Sequence, residues 1–129
     1  VEKDSSANTM SWFAWLIFGV ALTAFLALKR LALVRPEVAR DWLKKGARVI
    51  DVRSESEFQE KHLSGAINIP LHRLSDGLPR RAPDKEQPIL LHCLSGGRSG
   101  IGQGIARRMG YRNAFNLGSY GRAERILTG

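Results

Sequence analysis

Cys93 is the only cysteine among 129 residues, so no intramolecular disulfide can form and a Cys-rich zinc site is out of reach. Whatever Cys93 does, it does as a thiol. Nucleotide signatures are missing too. No glycine run is followed by a Walker lysine, and after Gly100 and Gly102 the third glycine of a dinucleotide fingerprint would have to stand at Ile105. His62, His72, His92 and Cys93 lack metal-ligand spacing, so neither a metal nor another cofactor is expected. There is no internal repeat and no low-complexity tract, and 43% hydrophobic with 25% charged residues is the composition of one globular domain.

Charge is absent from Ser11 to Leu28, eighteen residues that carry five of the ten aromatics. As a helix this stretch covers about 27 Å, close to the hydrocarbon thickness of a bilayer. A buried core helix, apolar on every face, would need more protein around it than residues 29–129 supply. A signal peptide would need a basic n-region, where Glu2, Lys3 and Asp4 stand, and a small-x-small site after the stretch, which is lacking. An uncleaved anchor fits better. Trp12 and Trp15 lie near one interface, and Lys29, Arg30 and Arg35 lie beyond the other, where the positive-inside bias places the cytoplasm. The expectation is an N-terminal tail over 1–10 on the outside, a transmembrane helix over 11–28 in contact with lipid, and a cytoplasmic domain over 31–129.

The formal charge of +8 is concentrated in that domain, where residues 29–129 hold 19 Lys and Arg against 10 Asp and Glu. Its basic pairs Lys44-Lys45, Arg80-Arg81 and Arg107-Arg108 have no interleaved exposed aromatics, which argues against nucleic acid. Anionic lipid head groups are the natural counter-charge beside an anchor.

From Leu31 onward short apolar runs alternate with helical patterns, which predicts an α/β fold with a central parallel sheet of about five strands flanked by helices. The strands are expected at 31–34, 49–52, 66–69, 89–92 and 114–117. Pro36 opens a helix with Val38, Trp42 and Leu43 inward, and Ser54 with Glu57 has capping-box spacing for a helix reaching His62 and burying Phe58. Residues 71–84 read as an irregular connection with at most one helical turn. Ile101, Ile105 and Met109 recur at four-residue spacing in a helix stopped by Gly110, and a terminal helix runs to about Leu127.

Open parallel sheets place their sites at the carboxyl ends of strands, and Cys93 follows the strand ending at His92. Leu94, Ser95, Gly96, Gly97, Arg98 and Ser99 come next. The two glycines let successive N–H groups turn inward at a helix N-terminus, forming a nest for an anion. That field, together with Arg98, favours the nucleophilic thiolate. A lone cysteine at a strand end is usually inert and buried, but the Gly-Gly-Arg-Ser context argues otherwise here.

These residues resemble a known family. Cys93-Leu-Ser-Gly-Gly-Arg98-Ser99 is similar to the rhodanese loop Cys-x-x-Gly-x-Arg-Ser. Asp51-Val-Arg53 with Glu57 resembles its Asp-x-Arg-x-x-x-Glu, and His62-Leu-Ser-Gly65-Ala-Ile-Asn-Ile-Pro70 resembles its His-x-x-Gly-Ala-x-Asn-x-Pro. The resemblance covers about residues 31–129. It implies a sulfurtransferase in which Cys93 takes sulfane sulfur from thiosulfate, polysulfide or a persulfide, holds it as a persulfide against loop N–H groups, and yields it to cyanide or a thiol. On this reading Cys93 and Arg98 are the catalytic residues, and residues 94–99 bind the sulfur. Arg98 either binds the anionic donor or braces the loop. Asp51, Arg53 and Glu57 are structural supports, with an ion pair expected between Arg53 and Glu57. Leu94 stands where a cation would attract thiosulfate, which points to a polysulfide or protein persulfide donor.

Two departures from the family pattern bear on packing. Gly100, Gly102 and Gly104 stand where the family helix is often Ala-rich, each costing about 1 kcal/mol of helix propensity, and Gly118-Ser119-Tyr120 replaces a Gly-Gly-aromatic run before the last helix. Rival functions are a cysteine-dependent phosphatase, suggested by His92-Cys93, arsenate reduction, and a non-catalytic persulfide carrier or membrane-tethered interaction module with an unknown partner protein. The phosphatase loop has five residues between cysteine and arginine. This chain has four, Leu94 to Gly97, a cradle suited to a single sulfur atom.

Overall fold

The computed structural model describes residues 6–129, and the chain divides into two units at Ala32/Leu33. The first unit is one helix, α1 (Ser6–Leu31). It is longer at both ends than the expected span. Of the tail expected over 1–10, residues 1–5 lie outside the described residues and the rest is helical. From Met10 to Leu31 the helix has a mean hydropathy of 2.0, long and apolar enough to cross a membrane, and its side chains are exposed.

The second unit, Leu33–Gly129, is built on four parallel strands in the order β2-β1-β3-β4: β1 (Arg48–Asp51), β2 (Ile67–Asn68), β3 (Ile89–His92) and β4 (Ala114–Gly118). The fifth strand expected at 31–34 does not form. Leu31 continues α1, Pro36 opens α2 (Pro36–Lys44), and only Leu33 remains to make a single bridge to Asn116 on the edge of β4.

Side chains alternate across a strand, and this divides the core in two. Ile50, Ile89 and Leu91 face one side with Leu74, Leu78 and Ala106, while Val49, Leu90 and Leu117 face the other with Ala39, Ala123 and Ile126. Ala39 places α2, and Ala123 with Ile126 places α6 (Tyr120–Thr128), on that second face. The unusual Gly118-Ser119-Tyr120 run therefore does not loosen the last helix. Ser119 caps it by accepting from the Arg122 amide at 3.2 Å. Val38, Trp42 and Leu43 pack inward as expected. The capping box at Ser54 opens α3 (Glu55–Glu60), which ends earlier than expected and leaves Phe58 half-buried against the His62 ring.

Residues 71–84 hold more structure than expected. A 3-10 turn (Leu71–Arg73) runs into α4 (Leu74–Arg81) despite Pro79 inside it. Proline removes one helical hydrogen bond, but Leu74 and Leu78, four apart and fully buried, keep the helix on the sheet. Along α5 (Gly97–Arg108) and its C-cap, Ile105 and Met109 of the four-residue series pack against the core, and Ile101 alone departs from it. Ser99, Gly102 and Ala106 are buried, whereas Ile101 is 59% exposed. A Cβ on Gly102 would stand 3.2 Å from Leu91 Cδ2 and 3.3 Å from Leu74 Cδ2, so glycine lets α5 approach the sheet closely.

These burials make a contrast that denaturation can check. Leu91→Ala should cost about 2–5 kcal/mol in equilibrium chemical denaturation, whereas Ile101→Ala should stay within about 0.5 kcal/mol.

Candidate active site

The parallel arrangement brings the carboxyl ends of β1, β3 and β4 together, and each supplies a part of the site. Alternation along β3 places Cys93 on the face of Ile89 and Leu91, beneath the start of α5. A register shift between Leu91 and His92 pairs His92 with Gly118 rather than Leu117, and the Cys93 amide then donates to the Gly118 carbonyl at 3.2 Å. Such a bulge re-aims the chain where pairing ends.

The loop closes over the sulfur. Gly96 has φ of 96°, and a Cβ there would lie 3.3 Å from Gly118 Cα, so both its conformation and its neighbour require glycine. In this turn the Gly96 amide donates to Cys93 Sγ at 3.0 Å, and the Ser99 amide and hydroxyl each lie 3.4 Å from it. The Ser99 hydroxyl also reaches the Gly96 carbonyl at 3.2 Å. The Gly118 carbonyl lies 3.5 Å from the same hydroxyl, so one proton has three acceptors within reach. Gly97 and Arg98 are the first two residues of α5, so their amides have no intrahelical acceptor.

Burial is the largest single influence on the Cys93 thiol and pushes its pKa up. The Ser99 hydroxyl and amide, then the Gly96 and Ser95 amides, together outweigh burial and hold the thiol below its ordinary 9.0. The thiolate is thus held chiefly by hydrogen bonds, not by the Arg98 charge.

Arg98 is paired with α3. Its Nη1 and Nη2 donate to the two oxygens of Glu57 at 2.7 and 3.0 Å, a bidentate pair. Arg98 is the first cause that lowers the Glu57 carboxyl, to about 2 from an ordinary 4.5. A lowered carboxyl contributes stability that is fully present above pH 4.5 and lost as the pH falls toward about 2. The expected ion pair between Arg53 and Glu57 is not formed. Arg53 folds onto Asp51 instead, with Nη2 2.8 Å from Oδ2 and Nε 3.1 Å from Oδ1, and also donates to the Lys61 carbonyl at 2.7 Å. Arg98, forty-one positions away from Glu57, takes it instead. Asp51 is fully buried and Arg53 nearly so, a structural pair at the end of β1.

His92 points to the opposite face of the sheet from Cys93. Its ring stands edge-on to Tyr120, and its Nε2 lies 3.7 Å from Asp51 Oδ2 without a hydrogen bond. Burial lowers its pKa and favours the neutral ring.

Sequence reasoning missed the clamp behind the loop. The Asn116 amide nitrogen donates to the Gly96 carbonyl at 3.2 Å, and its oxygen accepts from the Gly118 amide at 2.8 Å. Tyr120 donates its amide to the Leu94 carbonyl at 3.2 Å, and Ser95 bridges to Ser119. An asparagine inside the apolar run of β4 was the available signal. Leu94 itself points outward, 59% exposed.

A sheet with these crossings and this cysteine loop defines the class of domain, and comparison with known proteins agrees. Residues 35–121 match the family described as Rhodanese-like domain, and the chain belongs to that family. It is 38% identical over 69 residues to "Thiosulfate sulfurtransferase PspE" of Escherichia coli, a stretch that covers 54% of this chain and 66% of that relative. The aligned part therefore spans just under two thirds of that protein. Among solved structures, "rhodanese with anions from E. coli" superposes with a TM-score of 0.58 at 34% identity, covering 60% of this chain and 91% of that one. "Human Single Domain Sulfurtranferase TSTD1" gives 0.62 at 29% identity, covering 76% and 97%.

The hydrogen bonds on Sγ set the thiol's titration. Following thiolate absorbance against pH should give a Cys93 midpoint below 9.0, and Ser99→Ala should raise it, because the hydroxyl is the strongest of the groups that lower it.

Proposed function

We propose that this chain is a sulfurtransferase that moves sulfane sulfur from thiosulfate, polysulfide or a persulfide to a thiophilic acceptor through a persulfide on Cys93. The observation that carries this reading is the convergence of the Gly96 amide and of the Ser99 amide and hydroxyl on one buried sulfur. The Cys93 thiolate attacks the outer sulfur of the donor, whose S–S bond breaks and leaves its electron pair on the departing anion. Cys93 then carries a second sulfur with a negative charge. The first-turn amides of Gly97 and Arg98, which lack intrahelical acceptors, would receive that charge at the helix N-terminus. A cyanide or thiolate acceptor attacks the terminal sulfur, and the Cys93 thiolate is the leaving group, which closes a two-step cycle.

Cys93 is the nucleophile in this scheme, residues 94–99 form the sulfur cradle, and Arg98 keeps that cradle in shape through Glu57. Asp51 and Arg53 fix the neighbouring strand end. Four residues between Cys93 and Arg98 make a small cradle, which favours a sulfur atom over a phosphate. The names of the sulfurtransferase relatives support the same reaction class.

The reading extends to location. Residues 11–28 serve as a single membrane anchor in contact with lipid, with the N-terminus outside and residues 31–129 in the cytoplasm. The hydropathy of Met10–Leu31, with Lys29 and Arg30 in the last turn of α1, supports this arrangement.

Cyanolysis with thiosulfate and with polysulfide, run beside an aryl-phosphate assay, tests the chemistry. Thiocyanate should form with the wild type, with a one-sulfur mass gain on Cys93, and Cys93→Ser should abolish both. Phosphate release would move the assignment to a phosphatase. A one-sulfur adduct without turnover would leave a persulfide carrier.

A further inference from the structure

His92 is a buried titratable group that the sulfur cycle leaves unused. Among the described residues, its Nε2 is the one buried side-chain nitrogen or oxygen without a hydrogen bond, on a ring that is 0% exposed. Buried polar atoms rarely go unpaired, so this one calls for a reason.

The surroundings of the ring explain the gap. Nδ1 stands 3.4 Å from the Cys93 carbonyl, which can only accept, so the neutral ring carries its hydrogen there and leaves Nε2 bare. Nε2 faces Asp51 Oδ2 at 3.7 Å. Arg53 occupies both oxygens of that carboxylate: its amide at 2.9 Å and Nε at 3.1 Å on Oδ1, Nε again at 3.0 Å and Nη2 at 2.8 Å on Oδ2. From α6, Tyr120 stands edge-on to His92, and the Arg53 guanidinium and Lys61 Nζ lie over the Tyr120 ring at 4.9 and 5.1 Å. Arg122, also on α6, is turned onto the Leu117 and Val34 carbonyls. What the bare nitrogen meets is a carboxylate already in use.

We propose that His92 is a positioning residue with a buried proton site: filled in mildly acid solution, its Nε2 competes with Arg53 for Asp51 and unseats the cysteine loop. The imidazolium donates from Nε2 to Oδ2 and from Nδ1 to the Cys93 carbonyl, so each oxygen beside the ring gains a charged donor. Asp51 is then drawn away from Arg53. Arg53 is tied to the Lys61 carbonyl and stacked on Tyr120, whose amide holds the Leu94 carbonyl, so the disturbance reaches the loop at Cys93 and at Leu94. Burial is the largest influence on the ring and resists the proton. Asp51 and the Cys93 carbonyl favour it, Arg53 resists it, and uptake falls below the ordinary 6.5. The catalytic consequence rests on the persulfide reading above, whereas the proton site does not.

Two measurements on the full chain test this, both stopping at pH 4.5, above which the Glu57 carboxylate keeps its full contribution. In nitrogen-15 NMR the His92 ring should carry its hydrogen on Nδ1 at neutral pH and titrate below 6.5, and the Arg53 Nε–H signal should move with the same midpoint. The second is the rate of sulfur loading on Cys93 from thiosulfate, followed by the one-sulfur mass gain. His92→Asn keeps an N–H near the Nδ1 position but cannot titrate. Below the His92 midpoint the wild-type rate should fall roughly tenfold more per pH unit than the His92→Asn rate. A hydrogen on Nε2, a midpoint at or above 6.5, an Arg53 signal that ignores the His92 titration, or coincident loading profiles would each overturn the proposal. The wild-type spectra decide the proton site even where His92→Asn does not fold. If thiosulfate, polysulfide and persulfide all fail to load Cys93, the persulfide reading fails and the acid control fails with it, while the ring titration stands or falls on its own.

Discussion

The site depends on one set of hydrogen bonds, those that converge on Cys93 Sγ from Gly96 and Ser99. A buried thiol ordinarily resists ionisation, because charge in a poorly solvated place is costly. Two of the three donors, the Gly96 and Ser99 amides, are fixed by backbone geometry before any charge appears, so stabilising the anion requires little rearrangement. That preorganisation suits the proposed persulfide chemistry, in which the charge would rest on one sulfur and later on its neighbour.

Everything around the loop keeps those donors aimed. The bulge at His92 sets the entry of the chain, Asn116 ties the Gly96 carbonyl to β4, Tyr120 holds the Leu94 carbonyl, and Glu57 grips Arg98 from α3. Three strand ends and three helix starts meet here. The fold thereby spends polar groups on shape, and the two arginines beside the site, Arg53 and Arg98, are each paired with a carboxylate. Arg53 lies on Asp51 and under the face of Tyr120, 4.9 Å from the ring centroid. The site's positive character is made of amide dipoles rather than free cations, and this distinguishes its chemistry from that of a cationic anion-binding pocket.

Much of this was legible in the sequence, for physical reasons. β3 is a continuous apolar run, Ser54 with Glu57 is a local device, and the Cys93-to-Ser99 spacing encodes its own turn, so each could be read without knowing the rest. What failed depended on distant partners. The ion pair expected between Arg53 and Glu57 gives way because Arg98, forty-one positions along the chain, takes Glu57, while Arg53 turns to Asp51 two residues before it. The glycines of α5 looked like weakness, yet Gly102 is where the helix meets Leu91 and Leu74. Pro79 hid α4 because the burial of Leu74 and Leu78, which overrides it, is tertiary. The strand expected at 31–34 was too short to compete with a helix running in from one side and Pro36 on the other.

The most direct measurement is a crystal structure of the sulfur-loaded protein at a resolution that separates two bonded sulfurs. The account predicts a second sulfur on Cys93 Sγ lying within hydrogen-bond distance of the first-turn amides of α5, with the Arg98–Glu57 pair intact. A terminal sulfur turned away from those amides, or a loop that must open to accommodate it, would contradict the account.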